Sequence, residues 1–141
     1  KTIIKEIQIS YKQDWQKEHW NAIVSAYNSS PYFEYYKDEF LPFFENKEEY
    51  IVNLNSKLQT LILTILQEER FVNSTEEYCK KGNFSDLRNH DWELKTQEKY
   101  DQVFMEKQGF IPNLSILDLL FNLGPESSEY LEKLDIRSLC F

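Results

Sequence analysis

Apolar positions in this chain recur mostly at helical intervals. Tyr50, Ile51, Leu54, Leu58, Leu61, Ile62, Ile65 and Leu66 fall three or four residues apart, on one face of a helix of about five turns. Residues 13–27 repeat the pattern: Trp15, Ala22, Ile23 and Ala26 share a broad face that Trp20 and Val24 extend, with His19 inside it. Asn28-Ser29-Ser30-Pro31 ends that helix, because proline disfavours helical geometry in the residue before it and suits the first turn of the next helix. Ser30 is the natural cap. The following stretch crowds Tyr32, Phe33, Tyr35, Tyr36, Phe40, Phe43 and Phe44 together, more than one stripe buries, so this element packs on two sides until Pro42 kinks or breaks it.

Elsewhere the pattern is weaker. Lys99 to Gln108 resumes helical spacing through Tyr100, Val103 and Phe104, and Gly109 suits the position just past its end. Between Glu68 and Lys99 no period holds for two turns; residues 71–78 read as a short strand or a helix start, and Lys80 to His90 as a loop. The opening KTIIKEIQIS alternates imperfectly, with Ile7 and Ile9 on one face, as a half-exposed strand does. It has no obvious partner strand, and the chain opens on Lys1 rather than Met, so the expectation is that a preceding segment supplies the partner. The 141 residues fit one domain, and 3 Gly with 4 Pro are too few turn formers for a protein of many short strands. The predicted fold is mainly α: a single helical domain over residues 1–141 with one or two short peripheral strands.

NLSILDLLFNLGP, residues 113–125, has both helix ends written into it. Ser115 and Asp118 form the acidic variant of a capping box, with the Ser115 hydroxyl expected to accept from the Asp118 amide; Leu114 and Leu119 stand where a hydrophobic staple belongs. Gly124 and Pro125 close the other end. Ser115, Asp118 and Asn122 make one narrow polar stripe on an otherwise apolar helix. That stripe is either the solvent line, with the cap explaining Ser115 and Asp118, or the border of a cleft. Asn122 discriminates, because the cap gives it no role.

The net charge of −8, with no Lys/Arg cluster to relieve it, opposes binding to nucleic acid. Cys79 and Cys140 make neither a disulfide framework nor a zinc spacing and are read as reduced and inert. No apolar run reaches membrane-spanning length and no signal segment opens the chain, which makes the cytoplasm the expected location, without membrane insertion. Glycine loops for phosphate, a nucleophile elbow and a metal-ligand triad are all missing from the sequence, so no cofactor and no metal is inferred. His90, Asp91 and Trp92 form a loop cluster of a kind that arises easily by chance.

Two long segments carry a family resemblance. WQKEHWNAIVSAYNSSPYFEYYKDEFLPFF and YDQVFMEKQGFIPNLSILDLLFNLGPES resemble the WbqC-like family of bacterial proteins, specifically its short form in Bacteroides-type bacteria. The anchors are Trp15 with His19, Tyr27 with Pro31-Tyr32-Phe33, and Asn113 to Ile116 with Asp118, Leu119, Leu120, Asn122 and Gly124. The middle, residues 73–95, resembles the family least. Family members begin with a strand and an aromatic, proline-containing turn absent from this sequence, so the resemblance implies the C-terminal portion of a WbqC-like protein. Such proteins occur among surface-polysaccharide and O-antigen biosynthesis genes, which implies a pathway rather than a reaction.

On this reading His19 is the candidate general base, its imidazole tuned by an aromatic pocket, and Asp118 polarises it or binds a sugar hydroxyl or amine if the two helices face each other. Trp15, Tyr27, Tyr32, Asn113, Ser115 and Asn122 are the candidate substrate-binding residues, tyrosines offering a ring face and a hydroxyl at once. The expected partner is a nucleotide sugar or other small molecule. The alternative is a non-catalytic helical binding or scaffolding module, signalled by a contiguous apolar patch over residues 32–44. A core face left uncovered by the missing segment would instead pair two copies into a homodimer.

Overall fold

The computed structural model describes residues 3–69, 72–73 and 97–134. Seven α-helices appear among them: α1 (Trp15–Tyr27), α2 (Phe33–Phe40), α3 (Pro42–Glu45), α4 (Ile51–Ile65), α5 (Met105–Gln108), α6 (Ile116–Leu123) and α7 (Ser127–Lys133), with 3₁₀ turns at Ile4–Glu6 and Gly124–Glu126.

The boundaries follow the punctuation in the sequence. Pro42 ends α2 and occupies the first turn of α3, where its missing N–H has no helical acceptor to lose. α4 occupies the clearest apolar stripe. Ser30 behaves differently from the expectation: its carbonyl accepts from the Phe33 amide at 3.3 Å, but its buried hydroxyl has no hydrogen-bond partner among the described residues and caps none of their helices. The stretch from Lys99 is helical only from Met105, because residues 97–102 turn their aromatic and amide side chains toward α6 and α7.

The expected peripheral strands are not formed among the described residues. Residues 7–9 are extended, but they meet only Glu49 to Ile51: Gln8 bridges Tyr50, Ile9 donates to Glu49 O (2.9 Å) and Ile51 to Ile7 O (3.1 Å). Ile51 already begins α4, so the partner runs out of extended backbone after one bridge and no ladder propagates. The fold is α-helical, without strands, over the described residues. Residues 74–96, which include the Lys80–His90 loop, His90, Asp91 and Trp92, and also Cys79 and Cys140, lie outside them.

In α1 Gln16 is buried and Trp20, Ile23, Val24 and Tyr27 are half-buried against the main core, so most of the expected face packs inward, whereas His19 and Ala22 are exposed. Gln16 is buried because it ties two segments together, its Nε2 donating to Phe43 O (3.0 Å) and Asn46 O (2.7 Å). Phe33, Tyr36 and Phe40 of α2, at helical spacing, form the main core with Leu66, Leu120 and Phe121. A second core gathers Tyr100, Leu119 and Tyr130, with Phe110, Leu123 and Leu134 against it. α6 contributes to both cores, which is why an eight-residue helix has five buried residues, two of them polar.

Candidate functional site

That double burial turns the polar stripe of α6 inward. Asp118 and Asn122 are only 4% and 9% exposed, so they are not a solvent line; Ser115, at the helix mouth, is exposed. Ser115 does cap α6, but its hydroxyl accepts from the Leu117 amide (3.3 Å), while the Asp118 amide donates to the Ser115 carbonyl (2.9 Å). The Asp118 carboxylate is therefore released from the cap and faces other segments.

Neutral donors surround it. Tyr100 donates its hydroxyl to Asp118 Oδ2 at 2.7 Å and Gln102 Nε2 approaches the same oxygen at 3.4 Å. Tyr27, at the last turn of α1, lies close enough to feel it: burial first, then the charge of Asp118, push its phenol up to about 12. Tyr100 is raised further, again by burial first and by its bond to Asp118, with Gln102 opposing. Asn122 Nδ2 donates to the Asp118 carbonyl (2.8 Å), one turn back along the helix. Among the described residues Asp118 forms no ion pair.

Two hollows share Tyr100 and Tyr130 as a wall. One, of about 190 Å³, lies at the start of α6 between Asn113, Ser115, Gln97 and the apolar side chains of Leu114, Ile116 and Leu131. The other, of about 480 Å³, is rimmed by Glu98, Asp101, Glu126 and Lys133. The larger falls within the usual size of small-molecule sites. No metal-binding group of His, Cys, Asp or Glu side chains occurs among the described residues, and none of their helices is long and apolar enough to cross a membrane.

The sequence-derived candidates thus separate. Tyr27, Asp118 and Asn122 come together in the buried cluster, with Asn113 and Ser115 at the adjoining hollow. Tyr32 supports the far end of α6, its amide donating to Phe121 O (3.0 Å) and its ring lying against Gly124. His19 does not meet Asp118. It is exposed, edge-on to Trp15 (5.4 Å), in a row that continues to Tyr11 and Lys47, and it lies eight residues before Tyr27, roughly 12 Å along the helix axis. Tyr100, Gln102 and Gln97 were not singled out from sequence. The available signal was Tyr100 itself, an aromatic with a polar tip, opposite a helix with unexplained polar positions.

The family model of the WbqC-like protein family matches residues 1–91 and 72–130. The chain belongs to the WbqC-like family. The two matched stretches overlap across 72–91, so the family likeness reaches into the middle that the motifs left unanchored. This WbqC-like chain is 29% identical over 149 residues to the Uncharacterized protein Rv1507c of Mycobacterium tuberculosis, an alignment covering 84% of this chain and 64% of that protein. No solved structure matches it significantly.

Two phenols raised by one environment give a pH dependence. Their folded values lie above the ordinary value of 10.0, so their contribution to stability is complete below pH 10 and is lost as pH rises toward and past 12. Urea unfolding at stepped pH should show stability falling from about pH 10 upward, as the unfolded chain gives up the Tyr27 and Tyr100 phenol protons before the folded one does. Constant stability between pH 10 and 12 would contradict this coupling.

Proposed function

We propose that this WbqC-like protein is of the short, Bacteroides-type form and acts in the cytoplasm in surface-polysaccharide or O-antigen biosynthesis, binding and modifying an activated sugar beside α6. The observation that supports a ligand site there is Asp118: a buried carboxylate met by neutral hydroxyl and amide donors and by no cation among the described residues. A buried charge is ordinarily paired, and the amine or hydroxyl of a sugar would answer it. Asn113, Ser115 and Asn122 supply further polar groups, and the rings of Tyr100 and Tyr130 a stacking wall. The pathway rests on the family resemblance.

The scaffolding alternative calls for a contiguous apolar patch over residues 32–44, and the packing of Phe33, Tyr36 and Phe40 into the main core removes its centre, leaving Tyr35 as the exposed aromatic. Thermal unfolding of the full-length protein against nucleotide sugars and acyl donors tests the proposal. A ligand at a hundred times its Kd stabilises the folded form by about 2.7 kcal/mol, a rise in Tm of several degrees. The proposal expects such a rise with at least one nucleotide sugar; none across the panel would favour the scaffolding reading.

A further inference from the structure

Asp118 and Tyr100 are 4% and 8% exposed, so a ligand reaches the carboxylate only if something moves. The chain above them is residues 109–113, between α5 and α6. It begins at Gly109 (φ 73°) and ends at Asn113 (φ 56°), the first with nothing within 4 Å of where a Cβ would stand. Both have positive φ, which glycine and asparagine tolerate best, and Gly109, with ψ −176°, takes an extended conformation essentially reserved for glycine.

Side chains hold this segment down. Gln102 pairs with the Ile111 backbone as one strand residue pairs with another: its Nε2 donates to Ile111 O (2.8 Å) and its Oε1 accepts from Ile111 N (2.9 Å). The same Nε2 lies 3.4 Å from Asp118 Oδ2. Gln97 Oε1 accepts from the Asn113 amide at 2.7 Å, and the Phe110 ring sits edge-on to Tyr100 with centroids 5.5 Å apart. Among the described residues no main-chain to main-chain bond anchors 110–113. The Gln102 and Gln97 bonds are exposed or partly exposed, and hydrogen bonds that water can replace contribute little net free energy.

We propose that residues 109–113 form a lid over the Asp118–Tyr100 pair, latched by Gln102, hinged at Gly109 and Asn113, with Phe110 as its plug. Because Gln102 touches both the lid and the carboxylate, a group that takes its place on Asp118 also loosens its hold on Ile111. Ligand entry and lid opening are then coupled through one side chain. This inference rests on the ligand site proposed above, but its test requires no ligand, so the two can fail separately.

The test is carbodiimide labelling of carboxyl groups with a small amine, mapped by mass spectrometry, on the full-length protein and on Gln102→Ala and Gln102→Glu. The alanine variant removes the latch; the glutamate keeps its shape but presents an acceptor to the Ile111 carbonyl and a like charge to Asp118. Amide hydrogen exchange is followed in parallel. The lid predicts that labelling of Asp118 and exchange of the Ile111 and Asn113 amides both accelerate about tenfold or more in either variant, while the Leu120 and Phe121 amides keep their protection. Unchanged Asp118 labelling with faster Ile111 exchange would mean an ordinary surface loop and would overturn the lid. So would acceleration at Asp118 only in step with Leu120 and Phe121, since opening would then require global unfolding.

Discussion

Gly124→Ala is expected to destabilise the protein by about 4 kcal/mol, through strain and collision acting together. Gly124 ends α6 at φ 55° and ψ −124°, a conformation essentially reserved for glycine, in which an L side chain costs on the order of 1–3 kcal/mol. The Cβ would also stand 2.5 Å from Cγ and Cδ1 of Tyr32 and 2.6 Å from Cε1, well inside van der Waals contact. Tyr32 cannot withdraw freely, because its amide is bonded to Phe121 O and its neighbour Phe33 lies in the main core. Denaturant unfolding measures the loss, and Tyr32→Ala in the same background should recover about 1–2 kcal/mol by removing the collision but not the strain. Additive losses from the two substitutions would show that the ring does not oppose the new methyl group.

Phe121→Ala should cost about 3–5 kcal/mol, the range for large side chains deleted from a packed core. Phe121 is 0% exposed, and its ring meets Tyr27 (5.2 Å), Phe33 (5.2 Å) and Phe40 (5.7 Å), thereby joining α1, α2 and α6. The cavity would open beside Tyr27, so the substitution also tests whether α1 holds its phenol against Asp118. Calorimetry gives the stability, and the alkaline titration of Tyr27 should move down toward the ordinary tyrosine range. A small loss of stability with Tyr27 unmoved would mean that the core refills without α1. Against a typical total of 5–15 kcal/mol, either substitution leaves the fold marginal.

The sequence made the elements with strong periodicity or hard punctuation legible. α4 follows its stripe, Pro42 divides α2 from α3, and Ser115 and Gly124 bound α6. Short-range pattern was a poorer guide where long-range partners decide. The alternation of Ile7 and Ile9 marked extended backbone, but a strand depends on a partner, and the partner at Tyr50 turns helical one residue later. His19 satisfied the helical spacing of an apolar face, whereas the true buried line passes through Gln16, whose amide answers two carbonyls about thirty residues away. The sequence left Asp118 and Asn122 as either a wet edge or the border of a cleft, because six apolar neighbours covered the rest of the helix. Only the second core, built by Tyr100 and Tyr130, encloses the remaining side and converts a stripe into a buried cluster. Nothing local to residues 113–125 announces a tyrosine eighteen positions upstream.

The ligand site proposed beside α6 centres on Asp118 rather than on the exposed His19. Titration calorimetry tests it most directly, using the nucleotide sugar that gives the largest thermal shift, with the unaltered full-length protein, Asp118→Asn and His19→Ala. The expected result is that Asp118→Asn, similar in shape but uncharged, weakens binding about tenfold or more while the protein still unfolds cooperatively, and that His19→Ala binds as the unaltered protein does. Full affinity in Asp118→Asn, with binding lost in His19→Ala, would contradict it and move the site to the Trp15 face of α1.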